Sequence, residues 1–157
     1  MGIHIVLFEP EIPANTGNIA RTCVATNSTL HLIHPLGFST DDKMVKRAGL
    51  DYWKHLRMYE YESLEKLFEK YQQATFYFVE DYGNTYYTEL DYSAVDVEQF
   101  FIFGKETTGI PLRYLEANRA RCIRIPASTR VRSLNLSNAA AIVLYEVLRQ
   151  QNFQGTN

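Results

Sequence analysis

Ile3-His4-Ile5-Val6-Leu7-Phe8-Glu9-Pro10-Glu11-Ile12-Pro13 is the stretch that decides the fold. Its first six residues are apolar or β-branched but for one histidine, which suits a strand buried in a sheet. Glu9 to Pro13 ends that strand, because each proline disfavours helical backbone at the residue before it. Asn15 and Thr16 then offer side chains that can cap a helix running through about Ala25. Thr29 to Ile33 reads as a second strand, closed by His34-Pro35-Leu36-Gly37. Two apolar strands joined through a helix pair in parallel.

The alternation continues to the C-terminus. Asp41 and Asp42 ahead of Lys43, Lys46, Arg47 and Gly49 complement the dipole of a short helix. Leu64, Leu67, Phe68 and Tyr71 fall on one face of a helix over Ser63 to about Gln72. Thr75 to Val79, Phe100 to Phe103 and Cys122 to Ile125 are further strands, and Pro111 can start a helix over Leu112 to Leu115. The last helix spans about Asn135 to Gln151. Ala140, Val143, Leu144, Val147 and Leu148 form its apolar face, while Ile142 and Tyr145 spill onto another. A helix apolar on two sides is buried on two sides, which predicts a symmetric dimer. With no repeat, low-complexity tract or linker, residues 1–157 read as a single α/β domain with a mainly parallel sheet flanked by helices.

Composition narrows the chemistry. The hydrophobic fraction of 46% and the charged fraction of 22% are those of an ordinary globular chain, and no apolar run is long enough to span a bilayer. Met1-Gly2-Ile3-His4 lacks the basic start of a secretory leader, and Cys23 and Cys122 sit in no CxxC or Cys/His cluster. Two free thiols in a reducing, cytoplasmic setting are expected. The net charge of −2 argues against a broad positive field, although Arg113, Arg119, Arg121, Arg124, Arg130 and Arg132 crowd one short stretch. No glycine-rich phosphate loop follows the first strand, no metal-ligand spacing joins His4, His31, His34 and His55, and no G-x-S-x-G nucleophile turn is present.

Three segments rich in Asn, Gly and Ser remain. They are Asn15-Thr16-Gly17-Asn18-Ile19-Ala20-Arg21, Phe103-Gly104-Lys105-Glu106-Thr107-Thr108-Gly109-Ile110-Pro111, and Ser133-Leu134-Asn135-Leu136-Ser137-Asn138-Ala139. Taken singly, each is explained by helix capping or a turn, with Ser137 as one possible cap. Together and in this order they resemble the three signature motifs of the SPOUT family of RNA methyltransferases, in its ribose 2′-O-methylating branch. The resemblance runs almost end to end. The Glu9 to Pro13 turn and Arg47-Ala48-Gly49-Leu50-Asp51-Tyr52 are similar to the small bacterial enzymes that methylate the wobble nucleotide, C or U at position 34, of leucine tRNAs.

That resemblance implies a C-terminal trefoil knot over roughly residues 75–157, an S-adenosyl-L-methionine (SAM) site within it, a homodimer formed through the knot region, and no metal. Local patterning would instead give an open, unthreaded sheet. By resemblance Arg21 is the proposed catalytic arginine. A guanidinium stays protonated, so its expected work is to position phosphate and stabilise developing oxyanion charge. Asn15, Asn18, Glu106 and Asn135 are expected to frame it. Val79, Gly104, Ile125, Ser133 and Leu134 would hold the cofactor, and Lys105, Arg130, Arg132 and Tyr145 are candidates for RNA contact. Gly104 is expected to admit the ligand by lacking a Cβ. The plainer alternative for Arg21 is a surface pair with Glu9 or Glu11. An rRNA substrate, or a non-catalytic RNA-binding assembly protein of the same fold, stays open on sequence grounds.

Overall fold

Side-chain alternation on the first strand sets the layers. The computed structural model describes residues 2–41 and 52–157. The short helix expected after Asp41 and the 47–51 part of the resembling stretch lie outside them. In β1 (Ile3–Phe8) every residue is buried: Ile3, Ile5 and Leu7 enter one apolar cluster, Val6 and Phe8 the other. Helices therefore cover both faces of the sheet, the arrangement that parallel strands require.

The strands are β1, β2 (Thr29–Ile33), β3 (Met58–Tyr61), β4 (Thr75–Val79), β5 (Gln99–Phe103) and β6 (Cys122–Ile123). They form one sheet in the order β3-β2-β1-β5-β4-β6, and every pairing is parallel. On one face lie α1 (Pro13–Ala25) and α4 (Leu136–Gln150), whose Ile19, Ala20, Cys23, Val143, Leu144 and Val147 share a core with Leu30, Leu32, Phe101 and Phe103. On the other lie α2 (Leu64–Lys70) and α3 (Leu112–Ala117), through Leu64, Leu67, Tyr114 and Leu115. Both cysteines are free and buried.

Three sequence expectations shift. The strand expected to reach Ile125 ends at Ile123, with only an isolated bridge from Arg124 to Tyr86 beyond it. The edge strand β3 was not expected. Asn15 does not cap α1: the helix begins at Pro13 after Ile12, with no side-chain cap of its own. At α4 the cap is Asn135, whose Oδ1 accepts the backbone N–H groups of Ser137 at 2.9 Å and Asn138 at 3.3 Å. Buried Tyr92 donates to the Tyr87 carbonyl at 2.6 Å, and Gln150 and Gln151 of the helix end bond to the backbone of Leu90 and Tyr92. These bonds fasten the long 80–98 connection against the last helix.

Candidate active site

In an open parallel sheet, chain leaves the carboxyl ends of neighbouring strands in opposite directions where the order reverses, and a crevice forms there. Here that boundary lies between β1 and β5. A cavity of about 650 Å³ opens at the carboxyl ends of β4, β5 and β6, within the usual range for small-molecule sites. Val79 and Glu80 leave β4 into it, Phe103 and Gly104 leave β5, Arg124 and Ile125 follow β6, and residues 127–136 close the far side. Its walls mix apolar surface with charge. Arg124 Nη2 lies 3.2 Å from Asp81 Oδ1, while its Nε is buried with no partner among the described residues.

The turn after β5 is held by its own backbone. A Cβ on Gly104 would stand 2.5 Å from Gly109 Cα and collide with the Gly109–Ile110 peptide. Gly104 thus permits a close approach of the protein's own chain, and it also lines the cavity. Gly109 has φ +71°, a region that L side chains rarely adopt, and a Cβ there would meet the Glu80 carboxylate. Glu80 Oε2 instead accepts the Ile110 N–H at 2.8 Å.

From this turn Glu106 reaches across to the start of α1. Its carboxylate accepts the N–H groups of Glu11 at 2.9 Å and Ile12 at 3.2 Å, and Asn15 Nδ2 at 3.3 Å. Glu11 replies: its Oε1 accepts the Thr107 hydroxyl at 2.7 Å and amide at 3.1 Å. The Thr107 hydroxyl, then its amide, hold the Glu11 carboxyl below its usual range. The two carboxylates form a reciprocal latch. Since α1 has neither a side-chain cap nor an acidic residue in its first turn, Glu106 supplies a negative charge to that helix end from across the sheet. Glu9, at φ 48°, makes the turn that leads there, and its carboxylate lies 3.5 Å from Lys105 Nζ. Asn15 Oδ1 accepts Asn135 Nδ2 at 3.1 Å, so one hydrogen-bonded chain runs Glu106–Asn15–Asn135. All three motif segments meet at the cavity mouth.

Val79, Gly104, Ile125, Ser133 and Leu134 all line the cavity, as do Asn15, Lys105, Glu106, Arg132 and Asn135. Asn18 and Arg21 lie farther along α1, exposed and outside the lining. Arg21 pairs with neither Glu9 nor Glu11 among the described residues; its guanidinium carbon lies 5.4 Å from the Tyr52 ring centroid. Arg132 donates to the Thr107 carbonyl, and Arg130 is exposed in the turn before it. Tyr145 stands apart from the cavity, 49% exposed, beside a second hollow with Ala25, Asn27 and Phe153. Sequence reading passed over Glu11, which latches the turn beside the cavity, and Glu80 and Arg124, which line it. The acidic pair in Glu9-Pro10-Glu11 was a usable signal; the other two needed the fold. Among the described residues no group of three or more His, Cys, Asp or Glu could hold a metal, and no helix could cross a membrane.

The model of the SpoU rRNA Methylase family matches residues 2–145. The protein named "Putative tRNA (cytidine(34)-2'-O)-methyltransferase" of Geobacillus stearothermophilus is 59% identical over 155 residues, covering 99% of both chains. The crystal structure of a "putative RNA methyltransferase" from Bacillus anthracis superposes with a TM-score of 0.94 at 55% identity, covering 99% of this chain and 98% of that one. A second solved structure, concerned with 2-OH methylation of C/U34 on tRNA, does so with 0.87 at 37% identity and 96% coverage of each.

Proposed function

Because the chain belongs to the SpoU methylase family, we propose that it transfers a methyl group from SAM to the ribose 2′-hydroxyl of the wobble nucleotide of tRNA. The nucleotide is C34 or a modified U34, and leucine tRNAs are the expected substrates. Relatives named for cytidine-34 2′-O-methylation match over nearly the full chain, and the solved structure concerned with C/U34 aligns throughout. The observation that carries the reading is the hydrogen-bonded chain Glu106–Asn15–Asn135, which gathers three distant segments at the mouth of one cavity.

The cavity fits the cofactor on its own chemistry. Its volume suits a nucleoside-sized ligand, Val79, Ile125 and Leu134 offer apolar walls for an adenine, and the buried Arg124 Nε is a donor in need of an acceptor. Main-chain groups of the turns at Gly104 and 125–134 would complete the grip, with Ser133 near the methionyl part. Bound there, SAM supplies an electrophilic methyl on a sulfonium that departs as a neutral thioether, so no metal is required. The protein's share is alignment of the attacking oxygen and management of its charge. Glu106 is an unsuitable base, since its two oxygens already receive three N–H donors. Its work is to hold α1, and Asn18 and Arg21 with it, against the cofactor turn. Arg21 then fixes phosphate and stabilises negative charge on the 2′-oxygen as its proton passes to solvent water, while Lys105, Arg130 and Arg132 contact backbone phosphates.

The same reading includes the knot over roughly residues 75–157 and a single domain. Its support is the 80–98 connection, which bonds to the Arg124 backbone (Arg124 N to Thr85 O 2.9 Å, Tyr87 N to Arg124 O 2.9 Å) and to the end of α4. A homodimer follows from the exposed Tyr145 and Phe153 beside α1 and α4, with Tyr145 packing at the interface. The test is incubation of bulk tRNA with tritiated SAM, then nucleoside mass spectrometry. 2′-O-methylcytidine or a 2′-O-methylated uridine is expected. Transfer to rRNA alone, or SAM binding without transfer, would replace this reading.

A further inference from the structure

The arginine-rich stretch is absorbed only in part by the cavity. Residues 111–132 carry Arg113, Arg119, Arg121, Arg124, Arg130 and Arg132 against one acid, Glu116, in a chain whose net charge is −2. Two of these arginines lie over tyrosine rings on the segment that leaves β4. The Arg119 guanidinium carbon is 5.6 Å from the Tyr82 centroid, and that of Arg124 is 5.9 Å from Tyr86. The pairs are continuous with each other and with the cavity. Tyr82 follows Asp81, Asp81 pairs with Arg124, and both Asp81 and Arg124 line the cavity wall. Tyr86 is 44% exposed, Arg119 is exposed, and Arg119 forms no ion pair among the described residues.

We propose that Arg119 and Tyr86, with Tyr82 and Arg124 between them, form a stacking track for the unpaired RNA nucleotides that flank the one entering the cavity. It rests on the reading above, that a tRNA loop is the substrate. A ribose hydroxyl reaches a recessed methyl donor only if its nucleotide leaves the loop stack, and the neighbouring bases then need replacement surfaces. Aromatic rings and guanidinium planes provide these for any base. An arginine lying over a tyrosine uses the face of its guanidinium and leaves the N–H edge free for phosphate. Alternating planes and cations beside a nucleoside-sized cavity fit single-stranded nucleic acid. A protein partner would call for an apolar centre, which this surface lacks.

The test measures binding of a synthetic RNA stem-loop carrying the anticodon loop, and of an RNA duplex of equal length, across a range of salt. The variants are Arg119→Gln, Tyr86→Leu and Tyr86→Phe, with Lys66→Ala on α2 as control. Tyr86→Leu weakens stem-loop binding by about 5- to 100-fold, the range for one stacked base, and leaves duplex binding unchanged. Tyr86→Phe, which keeps the ring, binds as wild type. Arg119→Gln lowers the salt slope by about one. In all of them SAM affinity and kcat at saturating RNA hold, and KM for RNA rises with Kd. Wild-type stem-loop affinity in Tyr86→Leu, or an equal loss on duplex, overturns the track. A wild-type protein that binds stem-loop but transfers no methyl defeats the functional reading instead, while the binding arms still decide the track.

Discussion

Replacing Glu106 by glutamine separates a latch from a base. The carboxylate receives three N–H groups at the entry to α1, from the Glu11 and Ile12 backbone and the Asn15 side chain, at 2.9, 3.2 and 3.3 Å. Glutamine keeps one acceptor oxygen but turns an NH₂ group toward donors already aimed at that site. A hydrogen bond to a charged acceptor contributes about 1.5–3 kcal/mol when enclosed, and one of the three is solvent-exposed. Because glutamine keeps one acceptor, the substitution forfeits about one such bond, reduced by partial exposure to about 1.5–2 kcal/mol, and a helix-end charge worth about 0.3–1 kcal/mol, about 2–3 kcal/mol in all. In a domain of this size that lowers the melting temperature by roughly 5–10 °C. The chemical consequence is larger in proportion, because α1 carries Arg21. Displacing a catalytic group by about 1 Å costs on the order of a hundredfold in rate. Thermal melts, titration calorimetry with SAM and single-turnover transfer at saturating tRNA read the three effects separately. The expected result is a lower melting temperature, a rate reduced by about 10- to 100-fold and SAM affinity within a few-fold. An unchanged melt with a large rate loss would mark Glu106 as a chemical participant and refute the latch. A variant unchanged in both would remove the coupling between α1 and the cavity.

Arg21→Ala should lower single-turnover transfer by about two to four orders of magnitude, with SAM affinity and melting temperature nearly constant; normal turnover at saturating tRNA would reduce Arg21 to a phosphate anchor. Gly104→Val should abolish SAM binding in calorimetry and cost about 1–3 kcal/mol of stability, because its side chain collides with the Gly109–Ile110 peptide; undiminished SAM affinity would put the cofactor elsewhere. Acid should destabilise the protein through His31, whose pKa is pushed down to about 3 by burial, then by the charges of His4 and Lys70. The folded state keeps this histidine neutral while the unfolded chain protonates it from pH 6.5 downward, so stability falls with pH between 6.5 and about 3. By pH 5 the loss from this one group is about 2 kcal/mol in urea titrations; a flat profile from pH 7 to 5 would contradict it. Light scattering should give a dimer at micromolar concentration, and a stable monomer would leave Tyr145 a solvent-facing residue.

Burial decided what was legible in the sequence. Strands β1, β2 and β4 were read at their observed bounds because each is a short apolar run, the pattern of a strand covered on both faces. The edge strand β3 escaped because Met58, Tyr59, Glu60 and Tyr61 are exposed or half-buried, so no apolar run marks them. The start of α1 was misplaced for an instructive reason. Asn15 is a good local cap by residue type, but its amide is committed to Glu106 and Asn135, 91 and 120 residues away. A cap supplied across the sheet leaves no local trace. The candidate site was found by the grouping of three motifs. Its cavity wall of Glu80, Asp81 and Arg124 was not, since those residues acquire a shared role only through the pairing of β4 with β6.

The two margins of the sheet limit how copies of this protein can associate. An open sheet ends in unpaired backbone N–H and C=O groups, a template for further strands and for aggregation. On one side that margin is only two residues, Cys122 and Ile123, followed at once by charged Arg124. On the other it is four, interrupted by Glu60, with the Lys70 ammonium over the rings of Tyr59 and Tyr61. Among the described residues both margins are short and carry charge, which discourages pairing with a strand of another molecule. Self-association that keeps the fold is therefore expected through side chains on the helices, where Tyr145 is exposed.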